Sequence, residues 1–320
     1  MWARILQKGK VHAAMNIVTK PLLQDSAVAL GLFDGVHLGH RKVLAAAAAC
    51  KAQGLLPCVF TFDTEGFPRK HGKPFAYLYP QKHKLRLLET CGIEAVCAPD
   101  FVRMQEMDGK TFCREILCTL LCAKKTFCGR DFRFGRGAAW GFSDLQEFGA
   151  EMGFSVHEIR PEYYFDGEKV SSTKVRAALR DGFPTTAAAL LGSPYTITGM
   201  VCHGKALGRT IAFPTINQPF GKGQLVPRHG VYLSRVRTPG GVFWGVTNVG
   251  IKPTVSEERI PLAETHLLDF AGDLYGAECS TELLDFLRPE RKFEDLAALQ
   301  EAIAADCLAA RRLSAFHHLI

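Results

Sequence analysis

The stretch GLFDGVHLGH (residues 31–40) joins a predicted strand to a predicted helix, and this junction decides the fold of the first half. The apolar run VALGLF (residues 28–33) favours a buried strand, and the Ala-rich RKVLAAAAACKAQ (residues 41–53) favours a helix. In a parallel sheet such a junction lies at the C-terminal edge, where ligands bind. Glycines there let the backbone approach a phosphate, and the helix N-terminus offers unpaired N–H groups. His37 and His40 are placed so that both imidazoles can face one phosphate.

Strand-like and helix-like segments alternate outward from this junction, which predicts an α/β domain with a parallel sheet covered by helices. From about Tyr195 the chain changes to short segments rich in Val, Thr, Tyr and Phe, separated by Gly, Pro and charged turns. This pattern predicts a small antiparallel β-barrel. A terminal helix is predicted over residues 293–312. We place the seam within residues 181–193 and predict domains over 1–186 and 187–320.

Length and composition exclude several classes of protein. The 320 residues are 47% hydrophobic and 22% charged, which suffices for two cores and excludes a largely disordered chain. No apolar stretch approaches the roughly 18 residues of a membrane span. The beginning of the chain also lacks the uninterrupted apolar core of a secretory signal. We therefore expect no membrane partner.

The net charge is mildly basic, with 39 Lys and Arg against 32 Asp and Glu, or +7. These side chains are dispersed rather than gathered into a stripe, so we expect no nucleic-acid partner. A small anionic substrate such as a nucleotide fits this charge, and so does an ordinary solvated surface.

The 11 cysteines are an odd number and are scattered rather than arranged as a disulfide framework. This usage predicts reduced thiols and a cytoplasmic location. The densest group is Cys113, Cys118, Cys122 and Cys128, which lacks the C-x₂-C pairs of zinc sites. We predict that these side chains act as small apolar residues.

A second candidate phosphate-binding segment is VSSTKVR (residues 170–176). Its hydroxyls can cap a helix and donate to an anion, and Arg176 lies one turn further on. Alone, the segment is equally compatible with an ordinary capped helix. The hydroxyl-bearing residues are Ser171, Ser172 and Thr173.

These segments resemble motifs of prokaryotic FAD synthetases. GLFDGVHLGH is similar to the H-x-G-H signature of the nucleotidyltransferase superfamily, VSSTKVR to its ISST-x-x-R motif, and GRDFRFG (residues 129–135) to a block typical of FAD synthetases. The resemblance implies a Rossmann-like domain that adenylylates FMN, with His37 and His40 as catalytic residues. It implies ATP and phosphate binding by Gly31, Phe33, Asp34, Gly35, Gly39, Ser171, Ser172, Thr173 and Arg176, and flavin binding by Asp131, Phe132 and Phe134. For each of the two phenylalanines taken alone, core packing is an equally good interpretation.

One segment departs from the resemblance. FAD synthetases follow the second strand with a T-F-x-P-H-P type segment, whereas this chain has TFDTEGFP (residues 61–68). The histidine is absent and the proline is displaced. This departure motivates an alternative, an enzyme with riboflavin kinase activity only and a weakened or inactive adenylyltransferase domain.

The second half carries a different phosphate-binding pattern. GMVCHGKA (residues 199–206) comes close to a P-loop but lacks the Ser or Thr that would bind Mg²⁺, and no helix is predicted after it. GKALGRTIAFPTIN (residues 204–217) instead resembles the riboflavin kinase signature. Thr215 and Asn217 project oxygens two residues apart in an extended segment, which suits Mg²⁺ together with ATP oxygens. The resemblance adds Gly204, Gly208 and Arg209 to the ATP-binding residues.

Glu264 opens ETHLLDF (residues 264–270), which also resembles a riboflavin kinase block. The resemblance implies that this carboxylate is the general base on the ribityl 5′-hydroxyl. A carboxylate within hydrogen-bond reach of that hydroxyl can accept its proton during phosphoryl transfer.

Together these motifs cover nearly the whole chain, and they identify it as similar to the bifunctional prokaryotic riboflavin kinase/FAD synthetases. The expected substrates are riboflavin, FMN and ATP, with Mg²⁺ as cofactor, in a cytoplasmic protein that could form a homo-oligomer. Besides the kinase-only alternative, two others stay open: a flavin- or nucleotide-binding regulator without turnover, and a transfer-RNA-handling protein that shares the H-x-G-H fold. ATP consumption tests the first of these, and salt-sensitive RNA binding tests the second.

Overall fold

The computed structural model describes residues 15–63, 69–70, 73–160, 164–165, 167–203, 213–253 and 259–317. The chain forms two compact units, Met1–Ser172 and Thr173–Ile320. The sequence analysis placed the domain boundary at residues 186/187, and that placement stays a prediction.

The N-terminal unit is built on a six-stranded sheet with the strand order β1-β6-β3-β2-β7-β8, in which every neighbouring pair is parallel. The parallel sheet predicted from the sequence is therefore confirmed. Two short antiparallel pairs, β4 with β5 and β9 with β10, lie outside this sheet. The strands are β1 (Asn16–Ile17), β2 (Ser26–Leu30), β3 (Leu56–Phe60), β4 (Arg69–Lys70), β5 (Lys73–Pro74), β6 (Ala95–Cys97), β7 (Ala123–Cys128), β8 (Ser155–Glu158), β9 (Tyr164–Phe165) and β10 (Glu168–Lys169).

Helices cover this sheet. Those of the N-terminal unit are α1 (Leu38–Ala49) with a 3₁₀ turn (Cys50–Gln53), α2 (Gln81–Thr90), α3 (Phe101–Met104), α4 (Gly109–Thr111) with π-helical turns (Phe112–Leu120), a 3₁₀ turn (Arg136–Ala138) and α5 (Phe142–Met152). Helix α6 (Ser172–Asp181) begins at the last residue of this unit, and α7 (Pro184–Leu191) belongs to the C-terminal unit. The π-helical turns differ from an α-helix in their hydrogen bonding, since Leu121 N donates to Ile116 O, five residues back. Their apolar residues are buried as in an ordinary amphipathic helix, namely Phe112, Cys113, Ile116, Leu117 and Leu120.

Strand β2 shows why the sheet is central. Val28 and Leu30 pack into one core, whereas Ala27 and Ala29 pack into another. Successive strand residues point to opposite faces, so β2 is covered on both sides and all of its residues are apolar or buried. This placement fixes the turn after β2 at the C-terminal edge of the sheet.

The C-terminal unit is an antiparallel six-stranded sheet with the order β11-β16-β13-β14-β15-β12. The two edges meet where Cys202 N donates to Asn217 O at 2.9 Å, so the sheet curls into the small barrel that the sequence predicted. The strands are β11 (Tyr195–Met200), β12 (Thr215–Pro219), β13 (Gly230–Thr238), β14 (Gly241–Pro253), β15 (Arg259–Leu267) and β16 (Glu278–Pro289).

Hydroxyl groups bridge the middle strands of the barrel. Thr247 Oγ1 lies 2.7 Å from Ser234 Oγ and 2.8 Å from Thr265 Oγ1, and all three residues are buried. Buried hydroxyls that bond to each other satisfy one another's polar atoms, so they cost little in folding free energy.

The predicted terminal helix is α8 (Leu296–His317), shifted toward the C-terminus from residues 293–312. It begins after Asp295, whose carboxylate accepts from Ala298 N at 2.8 Å and so caps the first turn. Ala310 is fully buried in a cluster with Leu233 and Leu284 of the barrel. The helix therefore covers one side of the barrel.

Candidate active sites

The turn between β2 and α1 has a strained backbone. Phe33 (φ 50°), Gly35 (φ 84°) and Val36 (φ 44°) all adopt left-handed conformations. Glycine does so freely, whereas a bulky or β-branched residue does so at a cost. Arg41 Nε donates to Val36 O at 3.2 Å and helps to hold the turn. A Cβ atom at Gly31 would lie 3.1 Å from the Phe33 ring, so glycine gives that ring its room. Strain of this kind is characteristic of functional sites.

The two predicted catalytic histidines come together at the start of α1. His37 is the N-cap residue, and its Nδ1 accepts from His40 N at 3.3 Å. The two imidazole rings stack with centroids 3.6 Å apart and planes 16° from parallel, and the Phe33 ring packs edge-on against His40. A Cβ atom at Gly39 would lie 3.3 Å from the His37 ring. Glycine at this position therefore lets the imidazole lie flat against the helix N-terminus.

The serine-rich segment meets the same turn. Ser172 Oγ donates to Asp34 O at 2.8 Å, a contact across 138 residues of sequence. The Asp34 carboxylate is buried and accepts from Leu78 N at 2.9 Å. Thr173 and Arg176 follow Ser172 on α6; Thr173 is exposed, and Arg176 is 9% exposed. Ser171, just before the helix, is half-buried.

The block GRDFRFG supports the N-terminal core. Phe134 is 7% exposed, and its backbone pairs with that of Trp140. Phe132 is half-buried, and its ring lies 5.7 Å from that of Phe134. Asp131 is exposed and accepts from Lys169 Nζ at 2.9 Å. The core-packing interpretation therefore holds for Phe134, while flavin binding by these residues stays a prediction.

The segment after β3, where the sequence departs from the FAD synthetases, is described as far as Asp63; residues 64–68 lie outside the described part. Thr61 is fully buried, and its Oγ1 donates to Leu32 O at 2.8 Å. The beginning of the departing segment is thus bonded to the strained turn.

In the barrel, the predicted base and one predicted metal ligand are in contact. Thr215 Oγ1 donates to Glu264 Oε1 at 2.9 Å. Strand register places Asn217 of β12 and Asn248 of β14 directly beside Glu264 of β15. Paired residues on neighbouring strands point to the same face, so these oxygen-bearing side chains share one surface of the barrel. His266, paired with Thr215, lies on that surface as well.

Two cavities border this surface. The larger, about 330 Å³, is lined among others by Glu264, Thr215, Phe213, Phe293, Leu299 and Ile303. The smaller, about 200 Å³, is lined among others by Thr215, Ile216, Leu267, Phe270 and Tyr275. Thr215 therefore lines both cavities, and the Glu264 carboxylate lines the larger one.

An ion pair closes one side of the larger cavity. Arg288 donates to Asp306 through Nε at 2.9 Å and through Nη2 at 2.7 Å. Asp306 is 7% exposed. Because Asp306 belongs to α8 and Arg288 to β16, this two-pronged bond ties the helix that carries Leu299 and Ile303 to the barrel.

Some predicted residues lie outside the described residues, namely Gly204, Gly208 and Arg209. All 11 cysteines are described, and each is a free thiol. Burial raises the pKa of Cys113 and of Cys128 to about 12, which supports their interpretation as apolar side chains. Among the described residues, no three His, Cys, Asp or Glu side chains form a cluster that could hold a metal ion. No helix of the described ranges is both long and apolar enough to cross a membrane.

Comparison with known proteins matches each half of the chain to a family. A riboflavin kinase family model matches residues 191–314, and an FAD synthetase family model matches residues 19–174. The bifunctional riboflavin kinase/FMN adenylyltransferase of Pseudomonas fluorescens is 37% identical over 92% of this chain and 95% of its own length. That of Escherichia coli K12 is 38% identical over 90% of this chain and 92% of its own length. The chain belongs to this bifunctional family.

A solved structure agrees with this membership in fold. A crystal structure described as a macrolide-efflux protein from Streptococcus pneumoniae has 29% sequence identity and a TM-score of 0.78, over 91% of this chain and 95% of its own. The predicted bifunctional enzyme, with kinase and adenylyltransferase domains, is therefore confirmed, with ATP as the co-substrate of both. No observation favours the kinase-only alternative.

Sequence reasoning missed two features of this chain. One is the Arg288–Asp306 pair, whose members lie 18 residues apart and carry no local pattern. The other is Lys84, which is 1% exposed on α2. The sequence does contain a signal for the burial of Lys84, because this residue lies on the same helical face as Leu88, four residues later.

Proposed function

We propose that the two sites divide the family's reactions between them. The barrel transfers the γ-phosphoryl group of ATP to riboflavin and forms FMN, and the site at the edge of the parallel sheet transfers AMP from ATP to FMN and forms FAD. The observation that carries the first assignment is the Thr215–Glu264 contact between two cavities. The second is supported by the stacked imidazoles beside the Ser172–Asp34 bond.

In the kinase reaction, Glu264 accepts the proton of the ribityl 5′-hydroxyl. The oxygen of that hydroxyl forms a bond to the γ-phosphorus of ATP, and the bond to the ADP oxygen breaks. The larger cavity suits the flavin because aromatic and aliphatic side chains line it and the carboxylate lies at its border. The smaller cavity suits part of the nucleotide, and Thr215 lies where the two substrates meet.

The residues that would hold Mg²⁺ in the barrel are Thr215 and Asn217. Their hydroxyl and amide oxygens are hard neutral ligands, and Asn217 is 5% exposed beside Glu264. Such a sparse set fits Mg²⁺, which takes most of its ligands from phosphate oxygens and water in kinase sites. When bound, the ion neutralises charge on the phosphate oxygens during transfer.

In the adenylyltransferase reaction, a phosphate oxygen of FMN forms a bond to the α-phosphorus of ATP, and pyrophosphate leaves. His37 and His40 donate hydrogen bonds to the α-phosphate region, where charge builds up in the transition state. The residues at the start of α6 bind the departing phosphates: Ser171, Ser172, Thr173 and Arg176. The triphosphate binds at Gly31, Phe33, Asp34 and Gly35 of the turn after β2 and at Gly39 in the first turn of α1. The flavin-binding residues are Asp131, Phe132 and Phe134.

The remaining predictions belong to the same proposal. Gly204, Gly208 and Arg209 bind ATP in the kinase domain, the domain boundary lies at residues 186/187, and the protein works in the cytoplasm without nucleic acid. The 11 free thiols support a reducing compartment. Sedimentation of the purified protein measures whether it forms a homo-oligomer.

Two assays on one preparation test the division of labour. Riboflavin with ATP and Mg²⁺ gives FMN and then FAD, whereas FMN with ATP and Mg²⁺ gives FAD and pyrophosphate directly. Formation of FMN without any FAD would support the alternative of an enzyme with riboflavin kinase activity only. Tight flavin binding without ATP consumption would favour a regulator instead.

A further inference from the structure

Lys84 is a charged side chain in the interior of the N-terminal unit. It lies on α2, whose other buried residues are Leu85 and Leu88, and 1% of its surface is exposed. Burying an ammonium group is costly unless hydrogen bonds and charges compensate it. The groups that compensate this one all belong to segments around the strained turn.

The Lys84 ammonium begins a chain of hydrogen bonds that ends at the turn. Its Nζ donates to Thr61 Oγ1 at 2.8 Å and to Phe62 O at 3.0 Å. Thr61 Oγ1 in turn donates to Leu32 O at 2.8 Å. Helix α2, the segment after β3 and the turn after β2 are thus bonded in series through one nitrogen and one hydroxyl.

Two carboxylates act on this ammonium, Asp34 from the turn after β2 and Asp63 from the segment after β3. Burial lowers the pKa of Lys84 from 10.5 to about 7, and the two carboxylates oppose that effect. Lys84 therefore exchanges its proton near neutral pH. The backbone of Asp34 is also the acceptor for Ser172, so the charge lies beside the junction of both phosphate-binding segments.

We propose that Lys84 is a positioning residue for FMN adenylylation, which holds the segment after β3 against the ATP-binding turn and takes up a proton when ATP binds there. This inference rests on the proposed function of the N-terminal site. The triphosphate brings negative charge to a turn that already contains Asp34, so it favours the protonated ammonium. The protonated Lys84 side chain has three N–H donors, and its positive charge offsets the charges of Asp34 and Asp63. The neutral amine does not offset the charges of these two carboxylates.

The first test uses Lys84→Met, which keeps the length of the side chain and removes its charge and donors. We expect kcat/KM for FMN adenylylation to fall about 10²-fold, the effect of a loss of alignment in a positioned reaction. Riboflavin phosphorylation by the same preparation should stay within twofold. The matched control is Lys82→Met on the same helix, a half-buried lysine that should leave both activities within twofold.

The second test measures the proton itself. Calorimetry of ATP and Mg²⁺ binding at pH 7.5, in two buffers of different ionisation enthalpy, should show more proton uptake by the wild-type protein than by Lys84→Met. The same comparison in kinetics should show kcat/KM for adenylylation falling above about pH 7 in the wild type, and this limb should be missing in the variant. A merely structural lysine would change neither proton uptake nor the pH profile.

The outcomes separate the inference from the proposed function. A wild-type protein that makes no FAD from FMN would contradict the proposed function. A wild-type protein that makes FAD, but binds ATP without Lys84-dependent proton uptake and without the limb near pH 7, would overturn the inference. If Lys84→Met does not fold, Thr61→Val serves instead, because it keeps the ammonium and breaks the chain to Leu32 O. It should lower adenylylation about tenfold, equivalent to about 1.4 kcal/mol, and an unchanged rate would overturn the inference.

Discussion

The two candidate sites are built in different ways. At the sheet edge, the functional groups stand on a turn with strained residues, and bonds from distant segments hold that turn in place, as between Ser172 and Asp34. In the barrel, the groups stand on paired strands, where register alone sets Asn217 beside Glu264. A site on strands inherits its geometry from the sheet, whereas a site on a turn needs supports from elsewhere in the chain.

This difference predicts which substitutions should impair each reaction. In the barrel, the important substitutions should be those of the side chains that line the cavities. At the sheet edge, substitution of a buried support such as Lys84 should matter nearly as much as substitution of a histidine. The following predictions test this contrast, beginning with the largest effect.

Replacement of the proposed base should give the largest loss. Glu264→Gln keeps the size of the side chain and an acceptor for Thr215, but it cannot take the proton of the substrate hydroxyl. Riboflavin phosphorylation should fall by about 10²–10⁴-fold, as expected for loss of a general base. Chromatographic measurement of FMN gives the rate, and FAD formation from added FMN should continue unchanged.

Glu290→Gln is the matched control, since Glu290 lines the same cavity and accepts from Asn248 Nδ2. It should keep most of the kinase activity. A Glu264→Gln protein that phosphorylates riboflavin within tenfold of wild type would contradict the general-base role.

Replacement of a stacked imidazole should affect the other reaction. His40→Ala removes a proposed donor to the α-phosphate, and FAD formation should fall by about 10²–10³-fold, the usual loss for a donor to developing charge. FMN formation from riboflavin should stay at the wild-type rate. Release of pyrophosphate measures the rate of FAD formation. His157→Ala, in β8 of the same unit, is the control; loss of both activities in a folded His40→Ala protein would contradict two separate sites.

Breaking the Arg288–Asp306 pair should have a smaller effect that is confined to the barrel. Asp306→Asn leaves the guanidinium without its carboxylate, so the C-terminal unit should lose on the order of 3 kcal/mol of unfolding free energy. The KM for riboflavin should rise, because Leu299 and Ile303 line the cavity from the same helix. Urea unfolding and initial rates give both quantities.

The control for this pair is Asp269→Asn, which removes the exposed partner of Arg311 on the same helix. Exposed ion pairs contribute little, so the unfolding midpoint should hardly change. Equal destabilisation by the two substitutions would show that burial of the Arg288 pair is unimportant.

The smallest effect is a dependence of stability on pH. The pKa of Lys84 is about 7 in the folded chain and 10.5 without the fold, so the unfolded state binds more protons between these values. The penalty for burying the charge is complete below pH 7 and disappears as the pH rises toward 10.5. Stability of the N-terminal unit should therefore rise by up to about 1.4 kcal/mol per pH unit above pH 7.

Hydrogen exchange of the β2 and β3 amides gives the unfolding free energy of the N-terminal unit at each pH between 7 and 8.5. The contribution of Lys84 is the unfolding free energy of the wild type minus that of Lys84→Met. Taking the difference removes the contribution of the buried thiols, whose raised pKa values act in the opposite direction at higher pH. A difference that does not vary with pH would contradict the titration of Lys84 in this range.

The sequence predicted the fold because local patterns decide it. Alternating β and α segments favour a parallel sheet covered by helices, and short strands separated by turns favour a sandwich or a small barrel. It also predicted that the histidines meet at the start of α1, because residues three apart at a helix N-terminus share a face. The contact of Thr215 with Glu264 depends on the register between β12 and β15. The resemblance to riboflavin kinases implied that these two residues share a site, whereas their separation in the sequence did not.

Other features could not be predicted, for identifiable reasons. The π-helical turns of residues 112–120 keep the same buried face as an α-helix, so periodicity does not distinguish them. Phe134 belongs to the core because its strand-like pairing with Trp140 turns it inward, a tertiary effect. Lys84 and Asp306 are charged residues in apolar settings, and their partners come from distant segments.

The position of Thr215 on the border of both barrel cavities has a practical consequence. If the larger cavity binds the flavin and the smaller one the nucleotide, a compound with an isoalloxazine joined to an adenosine by a short linker would occupy both cavities at once. Tethering turns the second binding event into an intramolecular one and strengthens inhibition without any new contact.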